Sequence, residues 1–259
     1  MTVVACLKWL TPHDADDRFG GFSPADSSAL EWALRLGAAR GEQVLAVTVG
    51  PAAADTALRD ALACGVHRAI RVDAADELAS NDVAAAIAGA VDGLDVSFVC
   101  CGDYSLDRGT GSVPAFLAAQ IGARQALGLI EIVLGNEVIA LRRLDGGRRE
   151  RLRVDAPAVL SVEGATATLR RASLSGALAA RTAPIDVLAG PVGSHLPTAR
   201  RPYRPRARVL PPPQGETLDR VRSLLSGGTA TKSHGVPVEL GPEEAADRII
   251  AALDEWGYS

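Results

Sequence analysis

The stretch with the clearest chemical potential is Gly102-Asp103-Tyr104-Ser105-Leu106-Asp107-Arg108-Gly109-Thr110-Gly111-Ser112-Val113-Pro114, which follows directly on an apolar run ending in Cys100-Cys101. Glycines let a backbone approach a ligand closely. The N–H groups of a helical turn starting near Ser112 and Val113 would face a phosphate along the positive end of the helix dipole, with Thr110 and Ser112 adding hydroxyl donors. Gly109-Thr110-Gly111 matches neither a P-loop nor the dinucleotide fingerprint, so a phosphate cradle and a plain turn are both open readings of this loop. A second candidate is Ser23-Pro24-Ala25-Asp26. There Ser23 can cap a helix, Pro24 can take its first position and Asp26 can close a capping box, and a helix cap is a sufficient account.

Other reactive side chains carry less. Of the four cysteines, Cys6, Cys64, Cys100 and Cys101, the adjacent pair Cys100 and Cys101 are neighbours on a strand, point to opposite faces and are poorly placed to share a disulfide, so this pair reads as buried, inert thiols. His13, His67, His195 and His234 stand in unrelated contexts without acidic or cysteine partners at ligand spacing, which argues against a metal site or a nucleophile–base pair.

The elements that position the loop alternate in type. Apolar runs at 2–7, 44–49, 69–72 and 96–100 read as strands covered on both faces. Between them, 24–40, 52–64 and 81–91 carry apolar residues at helical spacing. Strand–helix alternation predicts right-handed crossovers and an α/β fold with a doubly wound, mostly parallel sheet, whose ligands sit at the C-terminal strand ends. After Gly128 the texture changes. Residues 129–134, a Gly135-Asn136 turn and 137–141 read as a hairpin, and 149–154 and 158–162 as further strands of an antiparallel extension. A first domain, 1–186, is expected to end near Asp186. Residues 187–259, rich in Pro, Gly and Arg, form an extended C-terminal arm with two short helices at 216–225 and 242–256.

The 259 residues carry a formal net charge of -4, so no global positive field draws nucleic acid or an anionic membrane surface. The basic stretch 200–208 lacks interleaved aromatics apart from Tyr203 and reads better as an arm wrapping a partner. With four cysteines, no apolar run of membrane-spanning length and no secretory signal pattern, the expected setting is cytoplasmic, without membrane insertion.

Taken in order, Val4-Ala5-Cys6-Leu7-Lys8, Ser23-Pro24-Ala25-Asp26 with the helix after it, Gly50-Pro51-Ala52, Leu58-Arg59-Asp60-Ala61-Leu62-Ala63-Cys64-Gly65-Val66-His67-Arg68-Ala69, Asp145-Gly146-Gly147, Ala156-Pro157-Ala158-Val159-Leu160 and Arg171-Ala172-Ser173-Leu174 resemble the electron transfer flavoprotein beta subunit over residues 2–187. The resemblance implies an adenine nucleotide alpha hydrolase-like fold and an electron carrier rather than an enzyme. It also implies a heterodimer with an alpha subunit that mainly holds the FAD, and a structural AMP in this chain. Positions carried over for the nucleotide are Cys6, Ser23, Pro24, Ala25, Asp26, Val49, Gly102, Asp103, Asp107, Arg108, Gly109, Thr110, Gly111, Ser112 and Val113. Ser173, Leu174 and Ser175 correspond to the partner-recognition loop, with Leu174 inserting into an electron donor.

Two departures from the family pattern stand out. The loop reads Asp107-Arg108-Gly109-Thr110-Gly111-Ser112-Val113 where the family has Asn-Gln-Thr-Gly-Gln-Met, and Ser175-Gly176-Ala177-Leu178-Ala179-Ala180 replaces its Pro-Asn-Ile-Met-Lys segment. With the Pro-rich arm, these resemble an actinobacterial branch associated with mycofactocin. They imply a flavin- or mycofactocin-linked dehydrogenase as donor and a membrane quinone oxidoreductase downstream. A universal-stress-like adenine-nucleotide module is the alternative, and it leaves 128–259 without a role. An adenine-nucleotide ligase needs a Ser-Gly-Gly-Xaa-Asp-Ser loop after the first strand, where this chain has Lys8-Trp9-Leu10-Thr11-Pro12.

Overall fold

The structure, a computed structural model, describes residues 1–10, 20–74, 78–107, 109–190, 216–225 and 240–257. The chain divides into two compact units, Met1–Thr198 and Ala199–Ser259.

The first unit is built on one nine-stranded sheet in the order β7-β6-β5-β8-β4-β1-β2-β3-β9. Strands β1 (Thr2–Cys6), β2 (Gln43–Gly50), β3 (Arg68–Asp73) and β4 (Val96–Gly102) are joined by helices α1 (Pro24–Arg40), α2 (Asp55–Ala63, led in by a 3-10 turn at Ala52–Ala54) and α3 (Ser80–Ala90). All of their pairings are parallel. Because β1, β2 and β3 step outward one way and β4 lies on the other side of β1, the strand order reverses between β1 and β4. A crevice opens at that reversal, above the C-terminal strand ends.

Strand residues alternate between two cores. Val3, Ala5, Leu7, Phe98 and Leu160 pack with α1 and α2, while Val4, Val47, Ile70 and Val99 pack with α3 and with α4 (Val113–Gln120). The double winding follows from this alternation, since near-continuous apolar strands require cover on both faces.

The antiparallel extension consists of β5 (Arg124–Leu134), β6 (Val138–Arg143) and β7 (Arg149–Val154). Strand β5 serves both parts of the sheet. Its first residues pair parallel with β8 (Ala158–Val162), its later ones antiparallel with β6, and the register shifts between Ala126 and Leu129. There the Gly128 N–H donates to Ser161 Oγ at 2.9 Å.

The sequence reading places 158–162 in the antiparallel extension, and the structure corrects it. β8 runs parallel between β5 and β4, and all five of its residues are buried, as a strand inside a parallel sheet requires. Two further elements were not anticipated. These are α5 (Leu174–Ala180) and β9 (Asp186–Ala189), which pairs parallel with β3 and so carries the sheet past Asp186. In the second unit, α6 (Thr217–Leu225) and α7 (Pro242–Glu255) fall on the two expected helical segments, and α7 carries exposed Ile249, Ile250 and Leu253, with exposed Trp256 as its C-cap. The basic stretch 200–208 lies outside the described residues.

Candidate functional site

The reversal between β1 and β4 holds a cavity of about 300 Å³. The end of β1 contributes Cys6 and then 7–10. Val49 and Pro51 come from the end of β2, Leu78 from just before α3, Ser80, Val83 and Ile87 from along α3, and Cys101 and Gly102 from β4. Tyr104, Ser105, Asp107, Thr110, Gly111 and Ser112 from the following loop, with Val113 and Pro114 from α4, complete it. Val49, Pro51, Leu78, Val83 and Ile87 make one apolar wall, suited to a flat aromatic base. The opposite wall is glycine, hydroxyl and charge.

The loop after β4 is held by its own backbone and by two contacts across the pocket. Asp103 N–H donates to Val162 O at 3.0 Å and Gly109 N–H to Ser105 O at 2.9 Å. Lys8 Nζ donates to both carboxylate oxygens of Asp107 at 2.6 Å, and the hydroxyls of Ser80 and Thr110 are 3.5 Å apart. Helix α4 opens at Val113 with Ser112 as N-cap and no side-chain cap, so its first-turn N–H groups are left for water or a ligand.

Helix α1 begins at the back of the same pocket. Ser23 Oγ donates to Asp26 Oδ2 at 2.8 Å and accepts from Asp26 N–H at 3.1 Å, and Ser23 N–H donates to the same carboxylate oxygen at 3.3 Å. The capping box read from the sequence is therefore formed. A Cβ on Gly102 would lie 3.0 Å from Ala25 Cβ and 3.1 Å from Asp26 Oδ1, so β4 and the helix start are in direct contact. Burial pushes the Asp26 carboxyl up to about 6, against the lowering pull of the Ser23 hydrogen bonds and of Lys8.

The pocket brings together Cys6, Asp26, Val49, Gly102, Asp107, Thr110, Gly111, Ser112 and Val113 of the predicted set. Ser23 is buried as the cap, and Pro24 and Ala25 back the ends of β4 and β8, in contact with Gly102 and Gly164. Asp103 and Gly109 shape the loop without lining the pocket. Asp103 Oδ1 is buried without a hydrogen-bond partner among the described residues, and burial, with the nearby Glu163, raises its carboxyl. Arg108 lies outside the described residues.

Lining residues absent from the predicted set include Lys8, Ser80 and, of the apolar wall, Pro51, Leu78, Val83 and Ile87. The signal of all but Ile87 was positional, since Lys8 and Pro51 stand just past a strand's C-terminal end and Leu78, Ser80 and Val83 at or near the start of the next helix, whereas Ile87 lies in the last turn of α3.

All four cysteines are free. Cys6 and Cys101 face the α3/α4 side and floor the pocket, while Cys100 faces the α1 side. The hydrogen bond that the Cys101 thiol donates to Cys6, together with burial, pushes that thiol up, and burial does the same to Cys100, so neither supplies a thiolate. His67 is structural, its Nδ1 accepting from Val44 N–H at 3.0 Å. His13, His195 and His234 lie outside the described residues.

The segment with Ser173, Leu174 and Ser175 is a helix start rather than the loop expected from sequence. Ser173 caps α5, its Oγ accepting from Gly176 N–H at 3.0 Å and lying 3.0 Å from the Ser175 hydroxyl. Leu174, Ala177, Leu178, Ala179 and Ala180 are good helix formers, with Gly176 set among them. Gly176 lies flat on α2, where a Cβ would come within 2.6 Å of Ala63 O, and Arg59 ties Ala180 O at 2.8 Å. Leu174, 77% exposed, and Leu178 point outward.

The residues leading into α5 are clasped by Glu31. Its carboxylate accepts from Arg170 N–H at 3.1 Å, from the Arg170 guanidinium at 2.9 and 3.1 Å, and from Arg35 Nε at 2.8 Å. Burial alone would raise the Glu31 carboxyl, but hydrogen bonds from Arg170 and Arg35 together hold it below its ordinary value. A depressed carboxyl stabilises the fold above the ordinary carboxylate range and loses that contribution as the pH falls through it. Glu31→Ala should cost about 1–3 kcal/mol, the arginines being free to reach water, and should speed amide exchange over 165–173 at pH 7. Exchange indistinguishable from the parent would show that the clasp does not hold this segment.

The electron transfer flavoprotein domain family matches residues 15–192. Protein FixA of Rhizobium meliloti (strain 1021) is 28% identical over 228 residues, 79% of this chain and 78% of that protein. The mitochondrial electron transfer flavoprotein subunit beta of Arabidopsis thaliana is 30% identical over 167 residues, 63% of this chain and 66% of that protein. Electron transfer flavoprotein subunit beta of Syntrophomonas wolfei subsp. wolfei is 30% identical over 174 residues, 64% of this chain and 67% of that protein. The chain thus spans 66% to 78% of the length of these relatives.

Proposed function

The chain belongs to the electron transfer flavoprotein family, as a protein of the beta-subunit type, and on that premise we propose that it holds AMP in the β1/β4 pocket and works as one half of a heterodimer. An alpha subunit is its partner and holds most of the FAD at their shared surface. The observation that carries this reading is the glycine loop and α4 start, set against an apolar wall at the strand-order reversal. A volume of about 300 Å³ is at the lower end for small-molecule sites, which suits a mononucleotide.

In this reading the base lies on Val49, Pro51, Val83 and Ile87, and the phosphate on the first-turn N–H groups of α4 with Lys8 and the Thr110 and Ser112 hydroxyls. Bound FAD supplies the redox chemistry through its isoalloxazine. This chain supplies nucleotide-dependent stability, because a ligand that binds only the folded state adds to it, and a docking point. Leu174, exposed at the start of a helix fixed to α2, is the residue that enters an apolar recess on the electron donor, a flavin- or mycofactocin-linked dehydrogenase. A membrane quinone oxidoreductase is the acceptor, and the setting is cytoplasmic. Among the described residues no helix is long and apolar enough to cross a membrane.

Co-expression tests this. The chain alone should be colourless, and with its cognate alpha subunit it should give a yellow heterodimer containing AMP by mass spectrometry of the denatured complex. Leu174→Asp should leave flavin and AMP content unchanged while slowing flavin reduction by the donor dehydrogenase at least about tenfold. A chain that stays a flavin-free monomer beside every alpha-type subunit of its genome would sink the reading.

A further inference from the structure

Lys8, just past β1, and Asp107, in the loop after β4, reach into the pocket mouth from adjacent strands. The ammonium holds both carboxylate oxygens at 2.6 Å. Both side chains are partly exposed, 39% and 45%, so the pair is in contact with water and weak enough to be exchanged. Among the described lining residues Lys8 is the cation, set against the carboxylates of Asp107 and, at the back, Asp26. A ligand phosphate that takes Lys8 must therefore displace Asp107 and remain near it. The backbone that carries Asp107 is closed by Gly109 N–H on Ser105 O and rests on Ser80 through Thr110, so a change of rotamer moves the carboxylate by only a few ångströms.

We propose that Asp107 is the specificity residue of this pocket: it stands on Lys8 in place of a phosphate and restricts the site to adenine ligands of low charge, the nucleoside and its monophosphate rather than the triphosphate. The inference rests on the reading of the pocket as an adenine-nucleotide site. Each further phosphate adds negative charge within a few ångströms of the displaced carboxylate, and Coulomb repulsion grows with that charge. Adenosine, with no charge to place on Lys8, is indifferent to the pair.

Calorimetric titration of the full chain, stripped of bound nucleotide, with adenosine, AMP and ATP tests it. The parent should bind AMP more tightly than ATP. Asp107→Asn should tighten AMP about three- to tenfold and ATP by a larger factor, leave adenosine within about twofold, and lose most of its gain at about 0.5 M salt. Lys8→Gln should weaken AMP and remove the gain from Asp107→Asn when the two are combined. Equal gains for adenosine and AMP, no gain for AMP, or a parent that binds ATP as tightly as AMP would overturn the role given to Asp107. Failure of adenosine and AMP to bind parent and variant alike would overturn the nucleotide reading itself, and the inference with it.

Discussion

Gly111→Val should leave the purified protein without nucleotide and lower its thermal midpoint by roughly 6–12 °C. Gly111 has φ +57, a left-handed conformation, and a Cβ there would stand 2.4 Å from the carbonyl oxygen of Asp103. The left-handed conformation costs a β-branched residue about 1–2 kcal/mol or more. The clash adds to this because the carbonyl oxygen is a backbone atom and a Cβ is fixed rigidly to its Cα, so no rotamer relieves it, and Asp103 is tied to β8 through its N–H on Val162 O. A total on the order of 3 kcal/mol is about 2–4 °C per kcal/mol in a unit of this size.

The loop can relieve the clash only by moving the segment that carries Asp107 and Thr110, which is the polar wall of the pocket. Gly109→Ala is the control. Its φ is +64, but the nearest atom to a new Cβ is 3.9 Å away, so it should cost only about 1 kcal/mol and keep its nucleotide. Melting curves and mass spectrometry of released ligand check both. A Gly111→Val protein that melts with the parent and retains full nucleotide would show that the site does not depend on this loop geometry.

The parts of the fold that were legible in the sequence are those in which local pattern and tertiary place agree. Val44-Leu45-Ala46-Val47 reads as a doubly covered strand and is one, and the cap at Ser23-Pro24-Ala25-Asp26 announced α1 because a capping box is a short-range device. β8 was misplaced for the opposite reason. Its neighbour in sequence is β7, three residues before it, and adjacency suggests a hairpin. Only the complete burial of Ala158–Val162 against both cores puts it between β4 and β5, and that is a property of the assembled sheet.

Helix α5 was missed because Leu174–Ala180 is too short to show a period, and its support comes from Ala63 and Arg59 on α2. At the site, the glycine loop was visible because its chemistry is local. The apolar wall beyond Val49 and the Lys8–Asp107 pair were not, since Lys8 and Asp107 are 99 residues apart and meet only through the pairing of β1 with β4.

Asp26→Asn should stabilise the protein at pH 7 by about 1–3 kcal/mol and flatten its stability between pH 4 and 6. Asp26 is 6% exposed, and burial outweighs Ser23 and Lys8 to carry its carboxyl from 3.8 to about 6. The native state therefore holds a proton that the unfolded chain has released across that window. Stability from this group is highest below the unfolded value, declines as the pH rises from about 4 to 6, and is reduced above that by roughly 3 kcal/mol, two pKa units at about 1.4 kcal/mol each.

Asparagine keeps an oxygen to accept from Ser23 N–H, so the cap survives. What it forfeits is the attraction of a carboxylate to the α1 dipole, about 0.3–1 kcal/mol, which is smaller than the desolvation it removes. The profile is checked by denaturant unfolding of parent and variant from pH 3.5 to 7.5. Parallel curves through pH 4 to 6 would mean that Asp26 does not titrate in that window. Because Asp26 lines the pocket, nucleotide content in the same samples separates two reasons for a buried acid at this place. A variant that gains stability and keeps AMP leaves the carboxyl as a cap alone, whereas one that gains stability and loses AMP shows that the acid is retained for the ligand, at the expense of the unliganded fold.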